Sequence, residues 1–451
     1  MKYRDALRSI AMRPLPLFNT RKGIIFNMLY RIGRILDIIS ILIVLIIIGG
    51  SDTPRFSGDT DRTRVYTREI EFDYPNWVLD ATWTKIEQAA LGTPFTFSRE
   101  TNKEIVFKYF IATLNRMTTE SRIEQIYADP NVTDKETEAE LLRKQRDEFS
   151  ERQKELAPFA ESVLQAQISE VLSQLGLTTI GQPVPPVLFH NTPTPLALIV
   201  SPRDKIVQVT NISILPTLTL DEQIALEDKV AESLDVSTLV VRIGGVGVYP
   251  TMVMETTDLR WTLSTIAHEW VHNYLNIHPL GLNYNTSPEL RTMNETTASI
   301  VGDEVGFLVL QEYYPETVGS NLSRSLILFN EPFLPSTSLD DPPPFDFRAE
   351  MHETRVRADE LLAEGKIEEA ETYMEARRQI FWQNGYLFRK LNQAYFAFHG
   401  AYADVPGGAA GEDPVGPAVR ALRAQSASLE DFIKTIARMT SFEQLQEAIQ
   451  Q

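Results

Sequence analysis

The chain has 451 residues, none of them cysteine, and only six histidines. The absence of cysteine excludes disulfide bonds, thiolate metal ligands and a cysteine nucleophile. It leaves the cellular compartment open, since a missing disulfide is compatible with either redox environment. Because histidine is scarce, a local pair of histidines is informative.

Positive charge is also scarce, with 43 Lys and Arg against 61 Asp and Glu and a formal net charge of −18. Residues 1–50 run against this trend: they contain eight Lys or Arg and two Asp or Glu, so the remaining residues carry a net charge of −24. A body this acidic repels phosphate groups. We therefore expect no nucleic acid among the partners.

One long apolar run occurs at residues 35–51, where Asp37 is the single charged residue. A run without a polar face favours a transmembrane helix over a buried core helix. A cleaved signal peptide is the alternative, although no small-residue cleavage site follows. The basic residues nearest to its N-terminal side are Arg21, Lys22, Arg31 and Arg34. This charge bias predicts a single-pass membrane anchor, with residues 1–34 in the cytoplasm and the acidic body outside.

Composition and periodicity divide the rest of the chain into four parts. Residues 52–64 are polar and predict a linker, and residues 65–180 have mostly helical periodicity. Residues 183–315 begin with strand-like runs and continue into two helices, and residues 316–451 are again helical. The predicted strands are 187–189, 196–200, 206–214 and 237–248.

Residues 268–272 read His-Glu-Trp-Val-His, an H-E-x-x-H pattern. On a helix, this spacing places His268 and His272 on one face, where they can bind one zinc ion. Glu269 then lies beside the metal, where it can act as a general base. Residues 256–258 offer N-cap side chains, and Pro279 ends the periodic segment. The pattern therefore predicts a metal-binding helix.

The next helix supplies a third ligand. Ser287 and Pro288 are typical of an N-cap and a first helical position, and the helix should extend to about Glu312. Glu295 lies early in this helix, within the sequence Asn-Glu-Thr-Thr-Ala of residues 294–298. Two histidines and one carboxylate leave the fourth position of a tetrahedral zinc site open, as in catalytic sites.

H-E-x-x-H followed by N-E-x-x-A on the next helix resembles the gluzincin group of zinc peptidases, which includes thermolysin and the zinc aminopeptidases. The resemblance implies Zn²⁺ as the cofactor, with His268, His272 and Glu295 as its ligands. It also implies that Glu269 is the catalytic base and that a peptide or protein is the substrate. The choice between aminopeptidase and endopeptidase stays open.

Glycines mark the strand that precedes the metal-binding helix. Gly245 and Gly247 form a G-x-G, but Pro250 occupies the third glycine position of a dinucleotide-binding loop, so that interpretation is disfavoured. Glycines on an edge strand let another backbone approach closely, which suits a bound peptide.

Several other residues are candidates for the site. By analogy with the peptidases, a tyrosine or histidine from a later helix should stabilise the oxyanion. Residues 379–402 predict one long aromatic-rich helix, in which Tyr395 and His399 are the catalytic candidates and Tyr402 the next choice. Residues 385–402 also faintly resemble the end of a poorly characterised bacterial aminopeptidase family. Further candidates are Asp303 and Glu304, which could orient the histidines, and His190, a loop residue that could line the site.

The combined prediction is an α+β fold that is mostly helical. A small mixed sheet with two metal-binding helices, similar to the zincins, follows a transmembrane helix and precedes a helical C-terminal region that completes the cleft. The predicted function is a membrane-anchored, extracytoplasmic zinc peptidase. The alternative is a non-catalytic binding or scaffold protein of the cell envelope that retains a metal site.

Overall fold

The computed structural model describes residues 58–91, 96–128, 134–178, 181–318, 345–386, 388–402 and 408–450. The predicted cytoplasmic tail, the predicted transmembrane segment at residues 35–51 and the first half of the predicted linker lie outside these residues.

Within the described residues, four helices precede the first strand. They are α1 (Asp59–Thr67), α2 (Tyr74–Leu91), α3 (Arg99–Ala128) and α4 (Lys135–Gln174). Helices α3 and α4 pack against each other along their lengths. Asp134 caps α4 by accepting a hydrogen bond from the backbone N–H of Thr137 at 3.1 Å. The helical prediction for this region is confirmed.

A mixed sheet contains strands β1, β5 and β6 in the order β1–β6–β5. Its strands are β1 (Phe189–Asn191), β5 (Gly245–Val246) and β6 (Thr251–Val253). β1 runs parallel to β6, and β5 runs antiparallel to it, so β5 is an edge strand.

A second, antiparallel sheet has the order β3–β2–β4. Its strands are β2 (Leu196–Pro202), β3 (Thr210–Ile214) and β4 (Val236–Arg242), with helix α5 (Leu220–Leu234) between β3 and β4. The segment before α2 runs along the free edge of β3. There the backbone N–H of Phe72 donates to the carbonyl of Ser213 at 3.0 Å, and that of Leu215 donates to the carbonyl of Ile70 at 2.8 Å.

Two helices follow β6 and pack closely on each other. They are α6 (Leu259–Leu275) and α8 (Pro288–Tyr313), with the short helix α7 (Pro279–Leu282) between them. A Cβ at Gly302 of α8 would lie 2.7 Å from the backbone oxygen of Ser264 in α6, so only glycine permits this approach. Leu263 of α6 and Val301 of α8 are fully buried in the same core, and each such side chain contributes about 1.5–3 kcal/mol.

The C-terminal helices complete the fold. They are α9 (Phe347–Ala363), α10 (Ile367–Gln383), α11 (Gln393–His399), α12 (Val415–Gln425), α13 (Leu429–Ile436) and α14 (Phe442–Ile449), with 3₁₀ turns at Pro315–Thr317 and Gly408–Ala410. The largest core cluster joins residues of α3, α4, α6, α8, α12 and α13. Helices α6 and α8 are therefore held between N-terminal and C-terminal elements.

The predicted fold class was wrong in two respects. It contained a single small sheet, whereas the described residues form two. The sequence predicts one strand over residues 237–248, but the chain leaves the antiparallel sheet after Arg242 and joins the mixed sheet at Gly245. This switch falls where glycines lower the preference for a continuous strand.

The fold class also included a transmembrane helix. Among the described residues, no helix is long and apolar enough to cross a membrane. The longest helices, α3, α4 and α8, carry charged residues throughout, so none offers the run of roughly 20 apolar residues that a bilayer requires.

The long helix predicted over residues 379–402 was also wrong. Helix α10 ends at Gln383, and α11 begins only at Gln393. Gly385 has a φ of 89°, which ends α10. Asn392 then caps α11 by accepting a hydrogen bond from the backbone N–H of Tyr395 at 3.0 Å.

Candidate metal centre

Helix α6 holds the H-E-x-x-H residues in a fixed orientation. Asp258 caps the helix by accepting a hydrogen bond from the backbone N–H of Trp261 at 3.0 Å. Val271 is fully buried in the core, which fixes the rotation of the helix about its axis. His268 and His272 are half-buried at the edge of this buried face.

Three side-chain atoms converge beside α6. The Nε2 atoms of His268 and His272 lie 3.1 Å apart, and Oε2 of Glu295 lies 3.6 Å from the first and 3.5 Å from the second. Glu295 reaches them from α8, which Ser287 caps and Pro288 begins, as predicted. In the part of the chain that the structure describes, His268, His272 and Glu295 form a group that could hold a metal ion. Their candidate ligand atoms all lie within 4.8 Å of one another.

This arrangement fits a zinc ion. With bonds of about 2.0–2.1 Å, two ligands of tetrahedral zinc lie about 3.3 Å apart. The observed separations of 3.1, 3.5 and 3.6 Å lie on either side of that value. Oε2 of Glu295 is also buried without a hydrogen-bond partner, which is costly for a carboxylate oxygen unless a cation lies beside it.

Two neighbours orient the ligands. Nδ1–H of His272 donates to Oδ1 of Asn294 at 2.8 Å, which leaves Nε2 of the same ring free to bind a metal. The hydroxyl of Tyr284 donates to Oε1 of Glu295, so the other carboxylate oxygen is the one directed at the histidines. Tyr284 lies between α7 and α8, and its ring contacts His272 edge to face.

The electrostatics of the three ligands are coupled. Burial alone would lower the pKa of His272, but the Glu295 carboxylate raises it to about 9. Burial alone would raise the pKa of Glu295, but His272 and His268 hold it well below its usual value. Both shifts arise from the attraction between the Glu295 carboxylate and the neighbouring imidazoles, and a metal ion bound there would compete with a proton for Nε2 of His272.

Glu269 lies beside the ligands and against the edge strand β5. Its side chain is buried, and burial raises the pKa of its carboxyl group. A Cβ on Gly245 would lie 2.5 Å from Oε1 of Glu269, so β5 can approach this carboxylate only because it carries glycine there.

A cleft of about 640 Å³ opens over these residues. Helix α6 contributes His268, Glu269 and His272 to its lining, and α8 contributes Glu295. The other lining residues are Tyr74, Asn211, Ser213, Arg242–Val248, Trp261, Ser264, Thr265, Asn276, Tyr284, Ser299, Asp303, Phe398 and Tyr402. A cleft of this size can hold a segment of peptide.

The structure brings together the four motif residues but separates Tyr395 and His399 from them. Neither lines the cleft: Tyr395 is buried in a cluster with Phe388, and its ring centroid lies 4.3 Å from that of His399. Burial lowers the pKa of His399 to about 4. Tyr402 does line the cleft, with its ring stacked 6.4 Å from that of His268.

The remaining candidates have other contacts. Glu304 forms two hydrogen bonds of 2.8 Å with Arg423, and neither Glu304 nor its neighbour Asp303 bonds to a histidine among the described residues. His190 lies in β1, where Nδ1 is 3.0 Å from Glu161, and it does not line the cleft.

Sequence reasoning missed Tyr284 and Tyr74. Tyr284 lies in the loop after α7, and no regular sequence spacing predicts that a loop residue contacts Glu295. Tyr74 reaches the cleft because the segment before α2 runs along β3, where its hydroxyl donates to Oγ of Ser213 at 2.7 Å. Only the tertiary pairing of these segments reveals the two contacts.

Comparisons of the chain with models of protein families, with curated proteins and with solved structures found no match.

Proposed function

We propose that this chain is a zinc-dependent peptidase. The observation that carries the proposal is the convergence of His268 Nε2, His272 Nε2 and Glu295 Oε2, with separations of 3.1–3.6 Å, next to the buried carboxylate of Glu269. A structural metal site needs only ligands. A buried carboxylate held beside the ligands, at the floor of an open cleft, suits a hydrolytic site instead.

The donor set favours zinc. Two neutral imidazoles and one carboxylate, with the fourth position open, are the ligands of several catalytic zinc sites. Magnesium and calcium prefer an all-oxygen set, and copper(I) prefers sulfur. When bound by these three residues, zinc would supply Lewis-acid chemistry, polarising a carbonyl group and lowering the pKa of water.

Residues of the chain provide proton transfer, orientation of the ligands and stabilisation of the oxyanion. Glu269 accepts a proton from the attacking water on its carboxylate and later donates it to the nitrogen of the departing amine. Asn294 and Tyr284 keep His272 and Glu295 in place during these transfers. Tyr402 lies beside His268 and lines the cleft. We therefore assign stabilisation of the oxyanion to the hydroxyl of Tyr402 rather than to that of Tyr395.

The edge strand β5 provides a surface for the substrate backbone. Gly245 and Val246 pair with β6 on one side, and both also line the cleft. An extended peptide can add to such an edge through main-chain hydrogen bonds. Gly245 lets the backbone of β5 lie close to Glu269. This arrangement supports a peptide as substrate.

A defined peptide mixture tests the proposal. Purified protein is stripped of metal with a chelator and then reconstituted with one equivalent of zinc, and products are identified by mass spectrometry. We expect cleavage only after reconstitution, and the positions of the cleaved bonds will distinguish an aminopeptidase from an endopeptidase. Stable binding of peptides without any cleavage would favour the non-catalytic alternative.

A further inference from the structure

Helix α8 presents a stripe of three residues to the cleft. Glu295, Ser299 and Asp303 follow one another at four-residue spacing, and all three line the cleft. Since a helix rises about 1.5 Å per residue, Asp303 lies about 12 Å along the axis from Glu295. Asp303 is therefore part of the cleft wall but not of the metal centre.

The carboxylate of Asp303 is available to a ligand. Asp303 is exposed, and among the described residues it has no ion pair and no hydrogen bond through its side chain. The next residue, Glu304, differs in this respect, because Arg423 occupies both of its carboxylate oxygens at 2.8 Å. Two adjacent acidic residues thus have different surroundings, one facing the cleft and one in an ion pair.

The cleft that Asp303 lines also offers polar and aromatic groups to a cation. Trp261, Ser264 and Thr265 of α6 line the same cleft. Hydroxyl oxygens can accept hydrogen bonds from an ammonium or guanidinium group, and an indole ring attracts a cation to its face. Gly302 packs against Ser264 and His268, which fixes the backbone next to Asp303 relative to α6.

Arg242 makes the charge of the cleft uneven. It lies at the end of β4, lines the cleft and has no carboxylate partner in the described part of the chain. A basic side chain near Arg242 would be repelled, whereas one near Asp303 would be attracted. Because side chains alternate along an extended peptide, only some positions of a bound peptide can point a basic side chain towards α8.

We infer that Asp303 is a specificity-determining residue that binds a Lys or Arg side chain of the peptide substrate. The inference rests on the proposed function, because it treats the cleft as a peptide-binding site.

The test uses a neutral twelve-residue peptide, acetylated and amidated, in which a single Lys replaces norleucine at each position in turn. Binding is measured by fluorescence anisotropy with zinc-loaded Glu269→Gln protein, so that turnover is not needed. We expect Lys to tighten binding roughly five- to tenfold at one or two positions. The advantage should disappear in the double variant with Asp303→Asn, remain in the one with Glu304→Gln, and weaken at high salt.

The outcomes separate the two proposals. A lower ratio of Lys-peptide to neutral-peptide hydrolysis in the Asp303→Asn enzyme than in wild type supports the assignment of Asp303. If Lys gives no advantage at any position, or if its advantage persists in Asp303→Asn, the inference is overturned even when the neutral peptide is cleaved. If wild-type protein cleaves none of the peptides and none of their unacetylated forms, the peptidase proposal fails, while the binding comparison still decides the role of Asp303.

Discussion

Oδ1 of Asn294 accepts a hydrogen bond from Nδ1–H of His272 at 2.8 Å, although the two residues come from different helices. This bond fixes the tautomer of His272 and directs Nε2 towards His268 and Glu295, where we propose that a metal ion binds. Asn294 immediately precedes Glu295, so one turn of α8 both supplies one candidate ligand and orients another.

Replacing Asn294 with alanine should weaken zinc binding by roughly 10- to 100-fold, because the imidazole is no longer held in its tautomer and orientation. Competition with a chromophoric chelator measures the affinity. Asn276→Ala is the matched control, since Asn276 also lines the cleft but lies beyond the end of α6. Equal zinc affinities for the two variants would contradict the orienting role.

Tyr284 orients Glu295 through its hydroxyl group. Tyr284→Phe keeps the ring against His272 and removes only that donor, so we expect roughly tenfold weaker zinc binding with little change in thermal stability. Tyr274→Phe controls for the loss of a hydroxyl, because Tyr274 stacks on His278 and does not line the cleft. The same chelator competition, with thermal unfolding of each variant, provides the comparison.

The close approach of Gly245 to Glu269 gives a way to disturb the base without touching a ligand. In Gly245→Ala the new Cβ would lie 2.5 Å from Oε1 of Glu269, so the carboxylate must move. We expect kcat/KM to fall between about 10- and 100-fold with zinc content unchanged. Gly58→Ala is the control, since nothing lies within 4 Å of a Cβ there. If Gly245→Ala keeps full activity, the predicted dependence of hydrolysis on the position of the Glu269 carboxylate is contradicted.

A buried ion pair makes stability depend on acid pH. The carboxylate of Glu161 is fully buried and accepts a hydrogen bond from Lys85 at 2.6 Å. Burial opposes ionisation, but Lys85 and His190 bring the pKa of Glu161 down from 4.5 to about 2. The pKa of Glu161 is lower in the folded protein than in the unfolded chain. Its contribution to the free energy of unfolding should therefore be complete above the unfolded pKa, and it should be lost as the pH falls towards the pKa of the folded protein.

Urea unfolding of wild type and Glu161→Gln between pH 3 and pH 7 measures this effect. At neutral pH the variant should be less stable by about 3–5 kcal/mol, because Lys85 remains buried without its partner. The difference between the two proteins should shrink below about pH 4.5. Glu151→Gln removes a carboxylate from an exposed pair with Lys154 and should change stability little. If the difference in stability between wild type and Glu161→Gln does not vary with pH, the lowered pKa of Glu161 is contradicted.

The convergence of His268, His272 and Glu295 could be predicted from sequence because the spacing of the histidines is local and Glu295 lies on the next long helix. His268 and His272 are one helical turn apart, and the capping residues Asp258 and Ser287 mark where the two helices begin. Such signals depend on backbone periodicity and hydrogen-bonding chemistry, which a short stretch of sequence contains. The strands β2 and β3 were likewise predicted near their observed positions.

Features that depend on the meeting of distant segments could not be predicted. The density of aromatic residues in 379–402 favoured one helix, yet Gly385 and Asn392 divide it, and the division buries Tyr395 away from the cleft. The split of the predicted sheet after Arg242 reflects the contact of Gly245 with Glu269, which lies 24 residues further along the chain. Tyr74 lines the cleft because the segment before α2 pairs with β3. No local sequence pattern predicts this contact.

The most direct test of the account compares wild-type protein with Glu269→Gln, with zinc content and hydrolysis of one cleaved peptide measured on the same samples. Both proteins should contain one zinc ion per chain, because the substitution leaves the three ligands in place. Wild type should hydrolyse the peptide, and Glu269→Gln should be slower by at least roughly 100-fold. Hydrolysis at the same rate by both proteins, or the absence of bound zinc from wild type, would contradict the assignment of a zinc peptidase with Glu269 as its base.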